Sequence, residues 1–531
     1  MNKMETAQEN KDWGLVHTPN GEWVYEYNVE FVTDEIGTIY QYLAKKQGKE
    51  LPLYRKSENL FLCYRCQLEA LGLGKPRALQ HKSNDVKNND NQSNIRKMKI
   101  KIHRGANQIG GCITEIESAK GDKILIDFGH NLPEGDEKAF DKFENTNALR
   151  EVLRGVSDVY YTHYHGDHIG FEYEIYKAGV TQHIGDLSLA MMKTLKKHML
   201  KADGLKESAT ESLEALEHFK IYSAASTERV GSISITPYYV SHSAIDAYMF
   251  LIECDGVKVL HTGDFRDHGY MGGGLEKNIK ANIAPQNVDV LITEGTMLAR
   301  DREKVPTEWD LQEQAIEVMK SHKYAFVLCS STDADRIVTF KATQRTDPKR
   351  LFVVDSYQGA QIMTIKNKLN GIYNSLPFNN ISKHFDELLP TMVQNGFTML
   401  VRNSSTFERL IAAIMPKIEL SQTAFIYSQF SGYIDENHVT FRQSTYDFVH
   451  KYDWEIFQIH TSGHASCQAL TKVCNWVRPS LAIVPIHKEK DTDFARLKLK
   501  SDLKGRVVAQ STKLQKHIDG QTVEVEIEIG E

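Results

Sequence analysis

The segment Thr162-His163-Tyr164-His165-Gly166-Asp167-His168-Ile169-Gly170 puts three imidazoles and a carboxylate within six positions, directly after an apolar run. Imidazole and carboxylate are the ligands zinc takes in hydrolytic sites. His163 and His165 share a side by the alternation of extended chain, and Asp167 and His168 lie beyond them on the turn into the next segment. Two ligand pairs on one loop can serve two adjacent cations. More donors stand at the ends of other apolar runs: His242 in Val240-Ser241-His242-Ser243, Asp264 in His261-Thr262-Gly263-Asp264-Phe265, and His487 after 481–486. An aspartate at such a place can bridge two cations, because each carboxylate oxygen can bind one of them.

Strands and helices must hold these donors. From Met98 onward, short apolar runs rich in β-branched residues predict strands at 99–102, 123–126, 156–161, 232–239, 248–253, 257–260 and 288–293. Helical patterns fall at 186–201 and 208–219. A second set alternates helix and strand: helices 308–321, 333–343 and 359–369, with strands 324–329, 351–354, 398–401 and 423–427. A last set has strand 455–459, helix 467–477, strand 481–486 and a strand near 522–529. Strand alternating with helix implies parallel sheet in layers, with functional residues beyond the strands' carboxyl ends.

Residues 1–79 read as a small appended module with a strand at 21–31 and helices at 36–46 and 59–71, and 80–98 as a polar linker rich in Asn, Lys and Asp. The CxxC of Cys63 and Cys66 lacks the second pair that a zinc ribbon needs, so helix packing is its expected role. The chain has 531 residues, the length of three to four domains at roughly 150 residues each. Its 64 basic and 70 acidic residues give a net charge of −6, which excludes a globally basic nucleic-acid wrapper while leaving room for a local basic groove. With 41% hydrophobic and 25% charged residues the chain fits a folded globular protein. No apolar run approaches the ~18 residues of a membrane span, and the first residues lack the apolar stretch of a signal peptide. Seven cysteines are too few, and odd in number, for a disulfide framework. A cytoplasmic location with no membrane contact is the expectation.

Asp127 in Leu125-Ile126-Asp127-Phe128-Gly129, the His163–His168 segment, His242 and Asp264 resemble the four successive motifs of the metallo-β-lactamase fold. The rest resembles its β-CASP branch, which cuts nucleic acids: Glu294 ends the next strand, a helix–strand domain follows, Ser462-Gly463-His464 marks the return, and His487 closes a late strand. The resemblance covers roughly 99–531. It implies a metallo-β-lactamase αββα sandwich at 99–299 and 455–531, an α/β β-CASP insertion at 300–454, and the small N-terminal module. Within the branch, His460-Thr461-Ser462-Gly463-His464-Ala465-Ser466 and Gly105-Ala106-Asn107-Gln108-Ile109-Gly110-Gly111 are most similar to bacterial and archaeal ribonuclease J-type enzymes. The chain departs from that group at Lys488, where a glycine often follows the last histidine, in the about 44 residues after His487 where that group has a separate domain, and in its N-terminal module.

The resemblance implies a zinc-dependent ribonuclease with two Zn2+ per chain, Mn2+ or Mg2+ being alternatives. His163, His165 and His242 would bind one ion, Asp167, His168 and His487 the other, and Asp264 both. A metal-activated hydroxide would attack phosphorus and leave a 5′ phosphate, with 5′ exonuclease action as one mode. Asp167, His464 and Glu294 are expected to carry the chemistry, with His464 as general acid or phosphate ligand charged by Glu294. Asp127 would hold a ligand histidine in its tautomer, and His261 either does the same or is structural. Ser331 and Arg336, in a run that opens a helix, are candidate substrate contacts alongside ordinary helix capping, and Ser462 is another. The lysines of 193–206 read as a solvated helix face. The expected partner is single-stranded RNA, with DNA as the alternative substrate, a homodimer as the candidate assembly, and a protein partner for residues 1–79. Competing readings are a small-molecule nucleotide or ester hydrolase on the same scaffold, which generally lacks the inserted domain, and a non-catalytic nucleic-acid-binding protein, which would have lost ligands that are all present here.

Overall fold

The computed structural model describes residues 96–531 except 134–135, 137–140, 145, 202–203, 301–304, 370, 374–375, 519 and 531, together with four short strands before residue 96. Those strands, Gly14–His17, Trp23–Asn28, Tyr54–Ser57 and Leu60–Tyr64, form an antiparallel sheet in which Leu60–Tyr64 lies between Trp23–Asn28 and Tyr54–Ser57. A strand was expected at 21–31, and Trp23–Asn28 occupies that stretch. The helix expected at 59–71 is corrected: its first residues are extended. Leu60-Phe61-Leu62-Cys63-Tyr64 has no polar position, and an unbroken apolar run carries no period to separate helix from buried strand. The helix expected at 36–46, Cys66 and residues 81–95 of the linker lie outside the described residues, and the end of the linker is already strand from Arg96.

Two mixed sheets face each other. The first has eight strands in the order Lys220–Tyr222, Thr181–Gly185, Asp158–Tyr160, Lys123–Ile126, Ile113–Glu117, Arg96–Arg104, Gln521–Ile529, Thr512–Ile518. The second has six: Glu228–Val230, Ile233–Val240, Ala247–Cys254, Val257–His261, Val290–Glu294, Ala482–Ile486. Alternation fixes which face is inward. Along Arg96–Arg104 the side chains of Met98, Ile100 and Ile102 are buried, and with Ile116, Ile124 and Tyr160 they meet Ile235, Phe250, Val259, Val290 and Val484 of the other sheet. Helices cover the outer faces. Ile175, Leu189 and Leu216 pack on Leu125 and Val159 of the first sheet, and Leu470, Val473 and Ile279 on Leu260 and Leu291 of the second. The result is an α/β sandwich of helix, sheet, sheet and helix.

A third sheet is wholly parallel, in the order Asn379–Asn380, Leu351–Val354, Phe397–Val401, Tyr324–Leu328, Thr423–Tyr427, Glu455–Gln458, with apolar clusters on both faces. Val290–Glu294 pairs directly with Ala482–Ile486, so this sheet is inserted between two neighbouring strands of the second. The division expected between 454 and 455 falls one strand early, because Glu455–Gln458 pairs with Thr423–Tyr427 at the edge of the third sheet. Among the described residues no helix is long and apolar enough to cross a membrane.

A buried ion network ties the inserted sheet to the sandwich. Arg266, just after the second-sheet strand Val257–His261, donates to Glu308 (3.2 Å) and Asp335 (2.8 Å). Arg336 donates to the same Glu308 (3.1 Å), to Ser428 Oγ (2.6 Å) and to the Thr461 carbonyl (3.0 Å). Burial pushes the Glu308 carboxyl up, but Arg336 and Arg266 outweigh it and hold it at about 2. Removing one partner leaves an uncompensated charge with no water to receive it. Arg336→Met is therefore expected to cost about 3–5 kcal/mol of stability by urea denaturation; a loss below about 1 kcal/mol, the range of exposed pairs, would contradict the clamp.

Candidate metal centre

Strand direction assembles the site. Lys123–Ile126 and Asp158–Tyr160 run parallel, and so do Val257–His261, Val290–Glu294 and Ala482–Ile486, so their carboxyl ends lie on one edge of the sandwich. Asp127 follows the first of these, His163–His168 the second, Asp264 the third and His487 the last, and Glu294 is the final residue of its strand. Ile233–Val240 points the same way two strands along, and His242 follows it. Asp127 (φ 60°) and His487 (φ 49°) sit in the left-handed region, a conformation costly for residues with a Cβ. Hydrogen bonds over-determine both. Asp127 accepts from Thr162 N (2.7 Å), Thr162 Oγ1 (2.8 Å) and His168 Nδ1 (2.8 Å). The His487 amide donates to Gly105 O (2.6 Å), and Thr296 Oγ1 lies 2.7 Å from its Nδ1.

These contacts assign the tautomers. The Thr162 hydroxyl spends its proton on Asp127, so His163 Nδ1, at 3.0 Å, must donate to it, leaving a lone pair on Nε2. That Nε2 is buried with no hydrogen-bond partner. His242 Nδ1 faces the Gly463 carbonyl at 2.6 Å, which only accepts, so its Nε2 also carries a lone pair, 3.3 Å from His165 Nδ1. His168 gives Nδ1–H to Asp127, and its Nε2 then faces Asp264 Oδ2 at 3.1 Å. His487 gives Nδ1–H to Thr296, whose own proton goes to the His487 carbonyl, and its Nε2 faces Asp167 Oδ2 at 3.3 Å and Asp264 Oδ2 at 3.6 Å. Lone pairs and carboxylate oxygens thus converge in a water-poor space, an arrangement that demands positive charge between them.

Without an ion, protons must supply that charge. Burial pushes the His163 and His242 imidazoles well down, and His165 down to about 4. For Asp264 burial acts upward, but His487, His168 and His464 outweigh it and hold the carboxyl well below its usual range. Burial opposes charge on His168, yet Asp264, Asp127 and Asp167 push it well above its usual value. The donor set fits divalent cations better than protons. His163, His165 and His242 bring three ligand atoms within 4.8 Å of one another, as do His163, His168 and Asp264, and Asp264, Glu294, His464 and His487 bring four.

Glu294 organises the flank. Oε1 accepts from the amides of Phe265 (2.9 Å) and Ala465 (3.2 Å), and Oε2 lies 3.2 Å from His464 Nδ1. His464 is 3.4 Å from Asp264 and keeps 21% of its side chain exposed. Burial lowers its imidazole, but Glu294 and Asp264 outweigh that and raise it. Beside it opens a cleft of about 490 Å³ lined by Arg300, Pro306, Phe430, His438, His460 and Ser462. The Ser462 hydroxyl accepts from the His464 amide at 3.1 Å.

The other expected residues fall differently. Arg336 is enclosed, and its donors are engaged by Glu308, Ser428 and Thr461, so the expectation that it touches substrate is corrected: helix Ala334–Lys341 turns it inward to the clamp. Asp333 caps that helix by accepting from the Arg336 amide (3.2 Å), and Ser331 is buried beside Gln358 at 3.4 Å. His261 Nδ1 accepts from the Gly263 amide at 3.1 Å, shaping the turn that delivers Asp264. Lys193 and Lys196 pair with Glu217 and Glu172. Two contributors were missed in the sequence. Thr296 holds both His487 and His464, and a hydroxyl two positions past the strand-ending Glu294 was its signal. Cys112 brings its thiol within 4.8 Å of donors on His168 and His487, and burial pushes that thiol well above its usual value.

No protein-family model matches the chain. An RNase J-like protein of Methanocaldococcus jannaschii is 28% identical over 211 residues, 37% of this chain and 42% of the relative. A ribonuclease J of Helicobacter pylori is 28% identical over 174 residues, 32% of this chain and 24% of the relative. The endoribonuclease ysh-1 of Neurospora crassa is 28% identical over 210 residues, 36% of this chain and 23% of the relative. Each match spans less than half of the curated relative. A crystal structure of a protein of unknown function from Enterococcus faecalis shares the fold, with a TM-score of 0.53 and 17% identity over 77% of this chain and 99% of that one.

Asp127 accepts three hydrogen bonds from Thr162 and His168 of one donor-rich loop, so Asp127→Asn is expected to weaken zinc affinity about 10–100-fold in a chelator competition. An unchanged affinity would show that His168 needs no such orientation.

Proposed function

We propose that the protein is a metal-dependent ribonuclease of the β-CASP branch of the metallo-β-lactamase fold, hydrolysing single-stranded RNA to 5′-phosphate products. The observation that carries this reading is the convergence of bare imidazole lone pairs on Asp264 and Asp167, beside a cleft bordered by the inserted sheet. The names of the partial relatives, two ribonucleases J or J-like and one endoribonuclease, support RNA as the substrate class. His163, His165 and His242 would hold one zinc ion, Asp167, His168 and His487 a second, with Asp264 shared. Such a pair supplies Lewis acidity toward the phosphoryl group and a water-derived nucleophile at neutral pH.

The chain's own residues do the rest. Thr162, Asp127 and Thr296 hold the Nδ1–H groups of His163, His168 and His487 so that Nε2 faces inward. Glu294 fixes the loops of Asp264 and His464 through one oxygen and keeps His464 charged with the other. Protonated His464, two residues past the cleft-lining Ser462, donates to the departing 3′ oxygen, and the phosphate stays on the 5′ side of the product. Ser462, in the cleft wall and bonded to the His464 amide, is the substrate contact favoured by geometry.

The test uses RNA labelled at either end, with a 5′ monophosphate or a 5′ hydroxyl, and single-stranded DNA beside it. Mononucleotides released from the 5′-monophosphate RNA are the expected result, and fragments from internal cuts would make the enzyme an endonuclease. His464→Ala is expected to lower kcat about 10²–10⁴-fold with its metal content retained. Full activity in that variant would remove His464 from the chemistry, and no cleavage of any RNA by metal-loaded protein would contradict the reading.

A further inference from the structure

Away from the cleft, a second pocket of about 310 Å³ is lined by Tyr270, Trp309, Val338, Lys341, Arg345 and Ile372. Its composition is unusual for this surface. Trp309 is 52% exposed and Ile372 38%, both large apolar side chains left open to solvent. The Trp309 indole meets the Tyr270 ring edge-on at 4.7 Å, and the Tyr270 hydroxyl is anchored by Thr339 at 2.9 Å, so the aromatic pair is held in place. Two cations flank it. Lys341 ends helix Ala334–Lys341 and Arg345 ends the turn Ala342–Arg345. Neither makes an ion pair or a side-chain hydrogen bond among the described residues.

The contrast with other partly buried lysines is sharp. Lys196 pairs with Glu172, Lys123 with Glu115 and Lys516 with Asp289. Lys341 is sheltered to a similar degree, and burial lowers its ammonium with no carboxylate acting against it. A sheltered ammonium and a guanidinium beside an exposed indole call for a ligand that is both anionic and flat. Single-stranded polynucleotide is that ligand: a base stacks on the indole while its phosphate takes the two cations. An acidic peptide would match the charges and leave the indole unexplained.

We propose that this pocket is a second binding site for single-stranded polynucleotide, which engages substrate at a distance from the metal centre; it rests on the ribonuclease reading above. The helix fixes the spacing. Arg336 in its first turn touches the Thr461 carbonyl beside the cleft, and Lys341 stands at its other end, in a helix about 12 Å long. A very short oligonucleotide therefore fills only the cleft, and a longer strand reaches both places.

The experiment compares the full-length protein with Trp309→Ala, Trp309→Phe and the double variant Lys341→Glu, Arg345→Glu. The probes are an oligouridylate of about 20 nucleotides, bound in chelator and followed by fluorescence anisotropy, and a trinucleotide followed by cleavage in zinc. Trp309→Ala and the double variant are expected to weaken oligouridylate binding about tenfold or more, with Trp309→Phe restoring it and the double variant flattening its salt dependence. Trinucleotide cleavage should be the same in all four proteins. Unchanged oligouridylate affinity in an enzyme that still cleaves RNA would overturn the second site and leave the ribonuclease reading standing. Loss in the double variant alone would overturn the stacking contact and with it the proposal. A wild-type protein that in zinc cleaves neither the trinucleotide nor a longer RNA would overturn the ribonuclease reading and remove the basis of the second site.

Discussion

The lone pairs of His163, His168, His242 and His487 and the carboxylates of Asp167 and Asp264 are packed into one buried space, each imidazole with its Nδ1–H already committed outward. Groups of one electrostatic sign do not remain together out of water unless positive charge lies between them. Much of the surrounding structure is organised to tolerate that convergence. Asp127 and His487 accept left-handed backbone to aim their side chains, and threonine hydroxyls at positions 162 and 296 relay hydrogen bonds that leave one tautomer each to His163 and His487.

Sheet architecture makes the convergence affordable in chain terms, since no donor needs a loop of its own. Parallel strands in two facing sheets end on one edge, and a donor placed after each strand arrives at the same spot. The inserted sheet closes one side of that spot. Its attachment is electrostatic as well as apolar: Arg266 and Arg336 share Glu308, and Arg336 also holds the Thr461 carbonyl, three residues before His464. The same arginine that stabilises the junction therefore fixes the loop carrying the candidate general acid.

The places of the converging donors were legible because metal chemistry restricts residue type and strand ends restrict place. His163 to His168, His242, Asp264 and His487 all lie where apolar runs stop. The strand 351–354 and the helix 308–321 were equally plain, the first from β-branched and apolar residues, the second from its helical pattern ahead of the apolar run 324–329. The clamp was not legible. Arg336 stands in a Ser- and Asp-rich run that reads as an anion-binding loop, and only the tertiary fold shows its guanidinium turned toward Glu308. Thr512–Ile518 has an alternating, largely polar face at a sheet edge, and Ile381–Asn395 carries Pro390 inside a helix; each lacks the signal that marks its class. At 60–64 the absence of any polar residue hid a strand in an expected helix.

The central claim is that the converging donors hold a pair of cations. The direct measurement is the zinc stoichiometry of chelator-stripped, full-length protein by isothermal titration, confirmed by native mass spectrometry, with Asp264→Ala beside it. Two zinc ions per chain at micromolar affinity or tighter are expected, and fewer than two in the variant, which loses the shared carboxylate. A wild-type protein that takes up no zinc, or whose uptake is untouched by loss of Asp264, would contradict it.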